Sequence, residues 1–122
     1  MHAGEAEEVE RQQRRRQQTV NYEELVAQQF QNEMESIFDR EREVGLCSTR
    51  FIEGVRRYGG VAYAHRLLEK AESDLPTNTF TFLRNLGRLD LTMEYYVVQE
   101  RFSSLFSETE REVAQWRLDY GD

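Results

Sequence analysis

The sequence predicts an all-α fold: a long N-terminal amphipathic helix followed by a compact bundle of four to five short helices. Three observations carry this. Apolar residues from Tyr22 to Val44 recur at steps of three, four or seven, the period of one helical face. Capping-box patterns stand at Asn21/Glu24 and at Ser107/Glu110, each ahead of an apolar-periodic run. Glycines at 45, 59, 60, 87 and 121 cut the chain into helix-length pieces, and the one strand-like run, YYVV at 95–98, has no second run to pair with.

Each element has its own local reason. Residues 1–20 are Glu, Arg and Gln with Val9 and Val20 as their main apolar residues, so they cannot bury enough surface to hold themselves folded, yet they are good helix formers; a disordered segment or a conditional helix is expected. Residues 21–45 form the long helix. Tyr22, Leu25, Val26, Phe30, Met34, Ile37, Phe38 and Val44 make its stripe, Gln28, Glu35, Asp39 and Arg42 fall opposite, and Gly45 supplies a left-handed stop. Residues 48–122 form the bundle. Ser48 caps a helix to about Tyr58, a third helix spans 61–71, and the loop SDLPTN with Pro76 leads to a short helix over 79–86.

After Gly87 an extended connector is expected, with Leu89 and Leu91 turned inward and Arg88 and Asp90 outward. Thr92 is the N-cap expected for the next helix, with Asp90 as the competing cap and Glu94 placed to favour the helix dipole. Phe102, Leu105 and Phe106 make an apolar corner. The last helix follows the Ser107/Glu110 box and carries Val113, Trp116, Leu118 and Tyr120.

At 122 residues there is room for one domain and a single core. The net charge of -7 disfavours nucleic-acid phosphate except at a local basic patch, and the one such tract is Arg11, Arg14, Arg15 and Arg16. Cys47 is the single cysteine, which excludes an intramolecular disulfide and suits a reducing compartment. No signal-peptide core and no run of 18 apolar residues is present, so a cytoplasmic protein without membrane contact is expected.

Candidates for chemistry are few. His65 has Glu69 one turn on and reads as a surface histidine; Cys47, at a helix start, reads as a small semi-buried residue. Gly59-Gly60 lacks the strand and the G-K-[ST] of a phosphate loop. Glu108, Glu110 and Glu112 suit a helix N-terminus without a metal. A helix-turn-helix made from 61–71 and 79–86, with Arg84 and Arg88 beside it, has too long a loop and too few basic residues on the reading helix. No catalytic, cofactor-binding or metal residue is expected, and no small-molecule ligand.

The run FTFLRNLGRLDLTMEYYVVQERFSSLFSETEREVAQWRL, Phe80 to Leu118, resembles a bacterial α-helical domain family of uncharacterised function. The shared pattern is F-x-x-L, GRLDLT-x-E, F-x-x-LF-x-E-x-E and A-x-x-RL, and the preceding RFIEGVRRYGGVAYAHRLL is also similar, so the resemblance spans about 50–118. It implies a small helical module that occurs as an appendage of larger bacterial proteins, some nuclease-like, and it implies no catalytic residue. The functional expectation is a non-catalytic interaction module, an adaptor or homo-oligomerising subunit of a bacterial intracellular complex. Its protein partner or second copy would sit on Tyr22, Val26, Phe30, Met34, Ile37 and Phe38. The alternatives are an accessory nucleic-acid-contacting domain of a nuclease or defence system, using the Arg11–Arg16 tract, and an acidic inhibitor.

Overall fold

The computed structural model describes residues 3–70 and 79–121, with side chains described for 21–70 and 79–121. It is all-α, and the expected order of a long helix and then short ones is observed. The helices are α1 (Ala3–Glu43), α2 (Thr49–Tyr58), α3 (Gly60–Glu69), α4 (Thr79–Asn85), α5 (Met93–Val97) and α6 (Glu108–Tyr120), with 3-10 turns at Leu89–Leu91 and Glu100–Leu105. The loop SDLPTN and Pro76 lie outside the described residues.

Helix α1 is the spine, packed by α2, α3, α5 and both 3-10 turns. Val26, Phe30, Met34 and Ile37 are buried, at steps of four, four and three, while Gln28, Glu35, Asp39 and Arg42 are exposed. Facing them are Ile52 and Val55 from α2, Ala64 and Leu68 from α3, and Met93, Tyr96 and Val97 from α5. The corner residues Phe102 and Phe106 plug the remaining space as expected, edge-on to Phe30 with ring centroids 5.2 and 5.1 Å away.

Several local expectations need correction. Because α1 starts at Ala3, Asn21 and Glu24 lie in its interior and not at its first turn; continuous good helix formers on both sides carry the helix through them. The stripe is also narrower than expected, since Tyr22 and Leu25 are 63% and 55% exposed. Ser48 takes the N-cap position of α2 without a side-chain cap bond, because its hydroxyl donates to the Glu41 carboxylate instead. The connector after Gly87 is a 3-10 turn, which buries Leu91 and leaves Leu89 half-buried. Thr92 wins the cap of α5: its hydroxyl accepts from the Tyr95 amide (3.2 Å), while Asp90 is drawn off by Arg88 at 3.0 Å. The Ser107/Glu110 box has both of its bonds, at 3.1 and 2.9 Å.

The α2–α3 corner depends on glycine. Gly59 has a φ of 88°, which closes one helix and opens the next, and Gly60 lies against α1, its amide donating to Gln31 Oε1. At Gly54 a Cβ would lie 2.2 Å from Tyr63 Cζ. Gly54→Ala is therefore expected to cost about 1 to 3 kcal/mol by displacing that ring. Urea unfolding checks it, and the cost should shrink when Tyr63 is also replaced by alanine.

Candidate functional site

The six residues expected to hold a partner are placed almost entirely inside the protein. Val26, Phe30, Met34 and Ile37 are 0 to 4% exposed and Phe38 packs half-buried against them, so the stripe is spent on the chain's own bundle. Only Tyr22 remains exposed among the six, with Leu25 one turn further on. The physical reason is that α2, α3 and α5 bury the same side chains a partner would have used. The side chains of Arg11, Arg14, Arg15 and Arg16 lie outside those described.

The polar residues of GRLDLTMEYY are held by one another and by other parts of the same chain. Arg88 clamps Asp90 with two bonds (3.0 and 3.2 Å), which holds the Asp90 carboxyl below the ordinary carboxylate range, and Arg40 of α1 approaches Asp90 at 3.7 Å. Arg40 also donates to the Tyr96 hydroxyl, and burial raises that phenol above its usual value against the pull of the guanidinium. Glu94 is buried and paired with Arg117 at 3.2 Å, and Arg117 donates in addition to the Lys70 carbonyl at 3.1 Å. One guanidinium thus ties together α5, α6 and the end of α3. Arg84, expected beside a DNA-reading helix, donates to the Gly121 carbonyl.

His65 does not pair with Glu69. Its Nδ1 meets Glu110 Oε2 and its ring packs 5.1 Å from Phe106, because α3 crosses the start of α6 there. Burial works to raise the Glu110 carboxyl, but the His65 ring and the Ser107 amide outweigh it and hold the group below its ordinary value. Cys47 is exposed rather than semi-buried, 3.5 Å from the Thr49 hydroxyl.

Beside Cys47 a cavity of about 650 Å³ opens between the C-terminal end of α1, the start of α2, α3 and the connector into α5. Its described wall is mostly apolar, and its two buried ionisable groups are Glu41 and Glu94. Glu94 has Arg117. Glu41 is 4% exposed, has no ion-pair partner among the described residues, and receives the Ser48 hydroxyl. Burial pushes its carboxyl up to about 7, against the lowering effect of that hydroxyl.

Glu41 and Arg117 are functional candidates that only the structure singles out, although each has a signal in the sequence. Glu41 stands four residues after Ile37 on the buried line 26, 30, 34, 37, and Arg117 stands between Ala114 and Leu118 on the buried face of α6. A charged residue at a core register was the available clue.

The shifted carboxyl carries a linkage prediction. Unfolded Glu41 loses its proton near 4.5 and folded Glu41 near 7, so its contribution to stability is fully present below 4.5 and is lost as pH rises through 7. Glu41→Gln is expected to match the parent below that window and to exceed it above, by on the order of 2 kcal/mol once screening at the cavity mouth is allowed for. Urea unfolding of both proteins across the window tests this; parallel pH profiles would refute it.

Among the described residues no three His, Cys, Asp or Glu side chains are grouped to hold a metal ion, and no helix is long and apolar enough to cross a membrane. Comparison with family models, with curated proteins and with solved structures finds no match.

Proposed function

We propose that the protein is a non-catalytic helical interaction module in which the bundle anchors α1 and the N-terminal arm of α1 pairs with a second copy of the chain. One observation carries this reading: α1 is unbroken from Ala3, and among its residues with described side chains, 21–43, the buried line begins at Val26. The part of α1 that precedes Val26 is roughly 34 Å long at 1.5 Å per residue. Tyr22 and Leu25 stand exposed at its root.

The charge order supports a second copy as the occupant. Acids at 5, 7, 8 and 10 precede arginines at 11, 14, 15 and 16, so two arms running antiparallel set each acidic half against a basic half. Exposed ion pairs contribute little individually and are screened by salt, so the association is expected to be weak and salt-sensitive. The non-enzymatic part of the reading is supported by how the ionisable side chains are used: Arg117 closes on Glu94, His65 on Glu110 and Arg88 on Asp90.

Sedimentation of the full chain at low and high salt tests the proposal. Dimers at low salt should dissociate at high salt, and reversing Arg11, Arg14, Arg15 and Arg16 to glutamate should abolish them. A monomer at every concentration in low salt rejects the reading. A gel shift removed by the same reversal, with no change in mass, would instead favour nucleic-acid contact through the arm.

A further inference from the structure

We infer that the cavity beside Glu41 is a binding site for a small organic cation, an ammonium carried on an apolar body, whose charge is received by the Glu41 carboxylate. Three features of the wall carry the inference. The volume of about 650 Å³ is that of a small-molecule site, and Ile37, Leu67, Phe80, Leu91 and Met93 offer the apolar lining such sites use for a ligand's body. The buried charge of the wall is acidic. Arg117 offsets Glu94, whereas Glu41 has a hydroxyl and no cation among the described residues.

The cations of the described wall, Arg50 and Lys70, are both exposed, so water screens them and among the described residues Glu41 is left uncompensated. A carboxylate out of water is costly unless it is paired, and an ammonium entering the cavity supplies the pairing as a charge-assisted hydrogen bond. Ser48, also in the wall, fixes the carboxylate through its hydroxyl. Tyr63 and Cys47 are the remaining titratable groups of the described wall. Burial raises the Tyr63 phenol, which keeps it neutral across the range where Glu41 titrates.

Because the ligand selects ionised Glu41, binding strengthens as pH rises through about 7.

The test uses the full chain with benzylamine, and with benzyl alcohol and benzoate as its neutral and anionic counterparts. Calorimetric titration should show benzylamine binding, and Glu41→Gln should weaken it roughly tenfold or more, the loss expected for one buried charge-assisted hydrogen bond. A second readout needs no substitution: Cys47, the single thiol and part of the same wall, should react more slowly with a bulky maleimide when benzylamine is present. At each pH the rate with amine is compared with the rate without it, and the protection should grow above pH 7. Benzoate and benzyl alcohol should give none. Equal binding of benzyl alcohol, binding that survives Glu41→Gln, or no binding of benzylamine at millimolar concentration overturns the assignment.

Discussion

Replacing Arg117 with alanine is expected to cost about 3 to 5 kcal/mol, the penalty for leaving one member of a buried ion pair without the other. Arg117 is 1% exposed and bridges Glu94 on α5 and the Lys70 carbonyl that ends α3, so its removal takes the guanidinium from a buried carboxylate and loosens three elements at once. Against a whole-domain stability of about 5 to 15 kcal/mol this is a large share. Urea unfolding at neutral pH measures it. The double replacement Arg117→Met with Glu94→Leu should recover most of the loss, since an apolar pair of similar volume often equals or exceeds a buried salt bridge. A cost under about 1 kcal/mol for Arg117→Ala would mean that the pair is solvated in solution.

Phe30→Ala is expected to cost a similar amount, about 3 to 5 kcal/mol, for a different reason. The ring is wholly buried on the inward line of α1 and meets Phe102 and Phe106 edge-on, so its loss opens a void bordered by two rings. Phe30→Leu should recover a large part of this by keeping most of the volume. Phe82→Ala is the comparison: that ring is 40% exposed on α4, and its loss should cost less than about 1 kcal/mol. If the two alanine variants unfold at the same urea concentration, α1 is not the spine of the bundle.

The parts of the molecule visible in the sequence share one property, which is that neighbouring residues settle them. The Ser107/Glu110 box forms both its bonds because cap and answer lie three residues apart, and Thr92 caps α5 for the same reason. Gly45, Gly59 and Gly87 all take positive φ where the helices stop. The stripe 26, 30, 34, 37 is likewise a matter of helical period alone.

Where the reading failed, a distant residue decided. The neighbours of Ser48 make it a cap, but Glu41 on the preceding helix takes its hydroxyl. Spacing pairs His65 with Glu69, yet Glu110, 45 residues away in sequence, is its partner. On α6 the inner face is taken by Arg117, 1% exposed, beside Ala114 and Leu118, whereas Trp116 is 48% exposed. Large aromatic bodies usually go inside and guanidinium groups outside; a buried carboxylate across the interface reverses that order here.

By itself the sequence determined the helical class, the main breaks between helices, two of the caps and the inward line of α1, because capping and periodicity act over three or four residues. The tertiary structure alone decided what the inward line would touch, which acids would be buried, and that a cavity would open beside Glu41. Those outcomes depend on how helices far apart in the chain cross and pack, and burial, which sets the energetic cost of every charge, exists only once they have done so.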